Sequence, residues 1–317
     1  TGLIIIIIIS KIKMAKKKII TKKQLKQQNQ SLEKIEEKYF TTKEGYRIFY
    51  MIKRFNNKKP FVYFQHGLTG NHTVWKGHMK YMIEHKQPFI IIDLLGHGNS
   101  QKIMGKKCYE VKNQGSYIMQ VLRHEKITNH IAVGQCYGGM IILYNETYRN
   151  TGSKALVLIG APLRNPIKIF INKNAEPFTW LLRILFVYPT GLLGMILGRR
   201  KFYPTINYQE HVNGSRFKIF ILDMIGTPKA AYSWSIESMI KINLVPYLKK
   251  IKKPTMLVYG ENDIEPYQEP HAQMLKSMNI KKTIIIKGID HLVTMRAPLQ
   301  LSKKILKFVK DINTHKD

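Results

Sequence analysis

Short runs of continuous apolar residues punctuate the chain from residue 46 onward. Residues 46–55 have strand character and run into the turn Asn56-Asn57-Lys58-Lys59-Pro60. Residues 60–65 (PFVYFQ) and 88–95 (PFIIIDLL) are apolar runs that stop at His66-Gly67 and Gly96-His97-Gly98. The rhythm returns at 130–134 (HIAVG), 155–160 (ALVLIG), 254–260 (PTMLVYG) and 283–287 (TIIIK). Between these runs, residues 75–85, 110–127, 137–149, 270–278 and 298–309 read as helices. In the second of these the apolar positions are Val111, Ile118, Val121 and Leu122. Strands that are apolar on both faces must be covered on both faces. Their alternation with helices predicts an α/β fold, a mostly parallel sheet with helices on each side.

Residues 163–245 break the rhythm with aromatics, Leu, Met, Gly and Pro. They read as an insertion between two strands, an apolar lid on a core made of 35–162 and 246–317. Within it, residues 178–198 (FTWLLRILFVYPTGLLGMILG) are nearly continuous apolar sequence, broken by Arg183 and interrupted by Pro189, Gly191 and Gly194. Lid helices over an acyl pocket are the first reading. Interfacial contact with a membrane is the second and a true span the third. Arg199-Arg200-Lys201 just beyond would suit an anionic surface. Residues 1–34 read as a basic, flexible N-terminal segment. Met14-Ala15-Lys16 looks like a natural start, so residues 1–13 are expected not to be a functional element.

Charge modifies this picture little. Lys and Arg number 52 against 20 Asp and Glu, a formal net charge of +32. The lysines run the whole length and no nucleic-acid module stands out, so no specific nucleic-acid partner is expected. Salt-sensitive attraction to polyanions follows from the charge alone. Two cysteines, Cys108 and Cys136, make no disulfide framework, and a reducing cytoplasm suits a free thiol. Association with a membrane through the lid would add to that location.

The chemistry centres on Gly134-Gln135-Cys136-Tyr137-Gly138-Gly139, which follows a strand and opens a helix. A nucleophile there occupies a sharp, strained turn, and the flanking glycines let the backbone crowd without Cβ clashes. The helix N-terminus beyond favours negative charge on the sulfur or on a developing oxyanion. Tyr259-Gly260-Glu261-Asn262-Asp263 ends a later strand, with Glu261, Asp263 and Glu265 as candidate acids. Gly288-Ile289-Asp290-His291 follows the last strand. The order nucleophile, acid, histidine and the positions at carboxyl ends of strands fit nucleophilic acyl transfer. Asp290 reads as a loop residue, and Cys108 as an inert thiol in a Lys-rich loop. His66 is expected to shape its turn, and Asp93 and His97 to fix loop geometry.

In these pieces, together with Asp93-Leu94-Leu95-Gly96-His97-Gly98-Asn99-Ser100, the chain resembles the α/β-hydrolase superfamily in its esterase, lipase and acyltransferase branch. The resemblance covers roughly residues 46–310. It implies a Cys136–His291–Asp263 triad, with Asp263 at the family position of the acid. It also implies an oxyanion hole from the backbone N–H groups of Leu68 and Tyr137. Serine is the usual nucleophile, and Cys136 departs from that pattern. Dienelactone hydrolases and polyhydroxyalkanoate synthases carry cysteine there, and G-x-C-x-G-G of the synthases matches residues 134–139. Aspartate-nucleophile branches are disfavoured. A lipophilic acyl ester or thioester is the expected small-molecule partner, without metal or organic cofactor. The alternatives are an acyltransferase or polyhydroxyalkanoate-synthase-like enzyme, and a non-catalytic binding protein of the same fold.

Overall fold

The computed structural model describes residues 35–165, 181, 183–197, 203–263 and 268–314. The expectations for residues 1–34 lie outside the described residues. The chain divides after Glu36, and residues 37–317 form the unit considered below. Eight strands make one sheet: β1 Glu36–Thr41, β2 Arg47–Lys53, β3 Phe61–Gln65, β4 Phe89–Ile92, β5 His130–Gln135, β6 Ser153–Ile159, β7 Thr255–Gly260 and β8 Ile280–Ile286. Their order across the sheet is β1-β2-β4-β3-β5-β6-β7-β8. β2 runs antiparallel to β4, and β3 to β8 pair in parallel. The expected mostly parallel sheet is therefore present.

The reason lies in the strands themselves. β4 (FIII) and β5 (HIAVGQ) are buried at every position, so both of their faces need a cover. Helices α1 Lys76–Glu84, α2 Val111–His124 and α3 Tyr137–Tyr148 alternate with the first parallel strands. Helices α7 Gln268–Ser277, α8 Val293–Arg296 and α9 Pro298–Thr314 flank and follow β8. The insertion contributes a π-helical turn Arg183–Val187 and the helices α4 Tyr188–Leu197, α5 Arg216–Gly226 and α6 Lys229–Lys241.

The strand order fixes where a site can form. From β3 the chain crosses to β4 on one side, and from β5 onward it builds outward on the other. The chain thus leaves β3 and β5 in opposite directions along the sheet, and their carboxyl ends mark the usual ligand position in such sheets.

Candidate active site

Cys136 stands between β5 and α3 with φ 49° and ψ −117°, a left-handed conformation that a side chain rarely adopts. Hydrogen bonds hold it there. Its N–H donates to Ile159 C=O at 2.8 Å, and its C=O accepts from Met140 N–H at 3.1 Å. Gly138 explains why the turn must be bare: a Cβ there would sit 2.5 Å from His66 O and 2.7 Å from Gln65 O. The loop after β3 therefore lies directly against the elbow. Cys136 is half-buried and unbridged.

His291 and Asp263 come together at the ends of β8 and β7. His291 Nδ1–H donates to Asp263 Oδ2 at 2.5 Å, and the same ring is hydrogen-bonded to Cys136. Since Nδ1 is engaged by Asp263, the other ring nitrogen meets the thiol. Burial opposes a charged ring, but the hydrogen bonds to Asp263 and Cys136 and their negative charge outweigh it. The His291 pKa is raised to about 10. The ring nitrogen that meets Cys136 is placed to exchange a proton with its sulfur.

The other sequence candidates fall elsewhere. Glu261 accepts from Gly288 N–H at 2.8 Å, tying the β7 and β8 loops together. Glu265 lies outside the described residues. Asp290 pairs with Arg296 at 2.8 Å and caps Leu292 N–H at 3.1 Å, as a loop residue does. Cys108 is buried in a short helical turn, and burial pushes its thiol up to about 12. Its Sγ–H donates to Gly105 C=O at 2.7 Å.

His66 fixes the neighbouring turn. Its Nδ1–H donates to Gly67 C=O at 2.7 Å, and its Nε2 accepts from Leu94 N–H at 3.0 Å. Burial lowers its pKa, consistent with the neutral ring those bonds require. Asp93 accepts from the backbone of His72 at 2.6 Å and of Asn99 at 2.8 Å, and from the His72 ring at 2.9 Å. His97 is buried and bonded to Leu95 C=O at 3.1 Å. Leu68 follows Gly67 on the turn closed by Gly70 N–H to Gly67 C=O at 3.2 Å. Tyr137 opens α3, where an N–H has no acceptor within the helix. The Leu68 and Tyr137 amides thus belong to the two loops that meet at Cys136.

Two positions escaped the sequence reading. Gly160, after β6, has φ +51°, and a Cβ there would meet His291 Cε1 at 3.2 Å, Nδ1 at 3.3 Å and Asp263 Oδ2 at 3.6 Å. Because β6 lies between β5 and β7, its end forms the floor beneath the histidine. A glycine closing an apolar strand was the signal available. Gln135 donates from Nε2 to His291 C=O at 2.8 Å and accepts from Thr294 Oγ1 at 2.7 Å, anchoring the histidine loop from the residue beside Cys136. Nothing in its spacing announced that. Among the described residues no group of three or more His, Cys, Asp or Glu is arranged to hold a metal ion.

Residues 60–313 match the family model of the alpha/beta hydrolase fold. This chain belongs to the α/β-hydrolase fold family. A 2-succinyl-6-hydroxy-2,4-cyclohexadiene-1-carboxylate synthase from Photorhabdus laumondii is 28% identical over 98 residues, 30% of this chain. That match spans only 34% of the synthase's length. A bromoperoxidase structure from Bacillus anthracis superposes with TM-score 0.67 at 19% identity, covering 87% of this chain and 100% of that one. An esterase structure from Exiguobacterium antarcticum gives TM-score 0.64 at 17% identity, covering 86% and 98%. At such identities the likeness is one of fold.

Proposed function

We propose that this α/β hydrolase acts on a lipophilic acyl ester or thioester through a Cys136 acyl-enzyme, with His291 as base and acid and Asp263 orienting it. One observation carries the reading: a cysteine at positive φ on the strand-to-helix elbow, hydrogen-bonded to a histidine that is bonded to a buried carboxylate. The thiolate attacks the carbonyl carbon, the new C–S bond forms, and the carbonyl electron pair moves to oxygen. The Leu68 and Tyr137 N–H groups receive that oxyanion, each donor being worth about 3–4 kcal/mol in comparable sites. Collapse expels the alkoxide or thiolate, which takes the proton from His291. Water, or an alcohol, amine or thiol acceptor, then gives its proton to His291 as it attacks the thioester, and Cys136 leaves as thiolate. The test is intact mass after incubation with p-nitrophenyl and CoA esters of graded chain length. An acyl adduct on Cys136 with turnover is expected; neither across the series rejects the reading. Product analysis with and without an added acceptor separates hydrolysis from transfer.

The insertion is the lid of this reading, and its outer surface is its contact with a lipid interface. Phe217, Ile221 and Ile225 recur every four residues along α5 and are 73%, 42% and 50% exposed. Leu185, Phe186, Leu192 and Leu193 are exposed on the π-turn and α4. Of the insertion's described carboxylates Asp223 and Glu237 are turned inward and Glu210 is exposed, whereas Lys218, Lys229 and Lys241 are all exposed. Apolar residues with lysines around them match an anionic bilayer surface. Among the described residues no helix is long and apolar enough to cross a membrane, and residues 178–180, 182 and 198 of the apolar stretch lie outside them. A cytoplasmic protein touching the inner leaflet fits the free thiols. Flotation with phosphatidylcholine vesicles, with and without phosphatidylserine, tests this. Binding only with the anionic lipid is expected, and no binding to either rejects it.

A further inference from the structure

The loop that carries Leu68 is held from the lid, by a set of groups the acyl chemistry does not use. Thr69 sits at φ +64°, a conformation costly for a β-branched residue and kept only where the surroundings enforce it. Its C=O accepts from the Tyr208 hydroxyl at 3.0 Å and from Thr227 Oγ1 at 3.3 Å. Its own hydroxyl reaches Leu68 C=O. Both hydroxyls also face one carboxylate, Asp223 of α5: Tyr208 donates to Asp223 Oδ1, and Thr69 is hydrogen-bonded to the same side chain. The segment around Tyr208 is itself pinned to the loop's far end. Ile206 C=O accepts from Asn71 Nδ2 at 3.0 Å and from Thr73 Oγ1 at 2.9 Å, and Tyr208 N–H donates to Thr73 Oγ1 at 3.0 Å.

The network has fewer hydroxyl hydrogens than acceptors for them. Tyr208 and Thr69 each have one hydroxyl hydrogen, and each faces both a loop carbonyl and Asp223. An ionised carboxylate is the stronger acceptor and draws both hydrogens to itself. A protonated carboxyl supplies one hydrogen more and accepts less strongly, which frees the hydroxyls for the carbonyls of Leu68 and Thr69. We propose that Asp223 and Tyr208 form a proton-operated latch on the loop bearing Leu68: protonated Asp223 lets the hydroxyls hold the loop carbonyls, and ionised Asp223 takes the hydroxyls away. Both are positioning residues, acting on the Leu68 N–H through the loop.

The latch titrates in an accessible range. Burial raises the Asp223 pKa to about 6, against the hydrogen bonds from Tyr208 and Thr69 that lower it. The titratable groups facing it are Tyr208 and, from α6, Tyr232, both pushed upward by burial first and by Asp223 second, so neither ionises there. Among the described residues no cation offsets the burial of Asp223.

The test is hydrogen exchange of the intact chain between pH 5 and 8, read on peptides covering residues 66–73 after dividing out the chemical exchange rate. Wild-type protection is expected to fall about tenfold as pH rises through 6, the size of effect one hydrogen bond produces. Asp223→Asn, whose amide always donates, keeps protection high without the step. Tyr208→Phe is poorly protected at both ends. Where p-nitrophenyl esters are turned over, kcat follows protection and KM stays within about twofold, as for an interaction made only in the transition state. Flat wild-type protection, or a step that persists in Asp223→Asn, overturns the latch. The kcat arm rests on the acyl reading and the exchange arm does not. A step with no turnover therefore rejects that reading and leaves the latch standing.

Discussion

The carboxyl edge of the sheet and the insertion above it treat their apolar residues in opposite ways. In β5, β6 and β7 every Ile, Leu and Val is at most 1% exposed, and the loops that follow are bolted together. Asn262 N–H donates to Ile289 C=O at 2.9 Å, and Gln135 holds the carbonyl of His291. In the insertion Phe217, Phe186, Leu185 and Leu192 are more than half exposed. Chemistry needs atoms held to tenths of an ångström, which only a close-packed foundation provides. Binding a greasy substrate or surface needs apolar area that folding has left uncovered. The division of labour between the two regions can be broken residue by residue.

The largest effect is expected at the edge itself. Cys136→Ala removes the nucleophile and should lower ester turnover at least ~10⁴-fold with the fold unchanged, since members of such a unit are not independently dispensable. Far-ultraviolet circular dichroism and the acyl-adduct mass check both halves of that statement. Beneath the edge, Leu158→Ala should destabilise the protein by about 2–5 kcal/mol in urea unfolding, the cost of a cavity in a packed core. Leu158 is 1% exposed. Gly160→Ala comes third. Its methyl would stand 3.2–3.3 Å from the His291 ring, so the ring must shift by a few tenths of an ångström. The expected loss is about tenfold in kcat, a fraction of what a full ångström of misplacement costs. Unchanged kcat would remove Gly160 from the site.

How much of this was readable in advance follows the same boundary. Strands covered on both faces show as unbroken apolar runs, so β3 to β7 were legible to within three residues. The edge strands were not. β1 (EEKYFT) alternates half-buried with exposed positions, and β8 begins three residues early because Lys281 and Lys282 face solvent. Cys136, Asp263 and His291 were legible because strand ends and chain order constrain them. Gly160, Gln135 and the Thr69–Tyr208–Asp223 set were not, because their partners are brought near by sheet order or by the insertion. Residues 163–245 show in the sequence only as a loss of that rhythm. Helix α5 within them was not legible, since its outward Phe217, Ile221 and Ile225 are as apolar as its buried Ile219.

The pH dependence of stability separates the two regions further. The folded pKa of His291 is raised from 6.5 to about 10, so the group contributes stability that is complete below ~6.5 and is lost as pH rises through about 10. The urea midpoint of the wild type should therefore fall more between pH 7 and 10.5 than that of His291→Gln. Asp223 runs over a lower window. Its pKa is raised from 3.8 to about 6, so its contribution is complete below about 4 and is lost as pH rises through 6. Asp223→Asn should then leave stability near pH 4 little changed and raise it at pH 8. Parallel midpoints for wild type and both variants would mean that neither pair is formed in solution.

The smallest effect on folding is expected on the outer face of the insertion. Phe217→Ser removes a large apolar side chain, yet one that is 73% exposed and buries little on folding. Its unfolding free energy should stay within about 0.5 kcal/mol of wild type, as for surface changes that touch no special feature. The same change should weaken flotation with phosphatidylserine-containing vesicles, because a bilayer would bury the ring that the fold does not. A stability loss comparable to Leu158→Ala would instead make Phe217 part of the core and erase the contrast between the two regions. Unchanged stability with unchanged flotation would keep the contrast and remove the lipid surface as the reason for it.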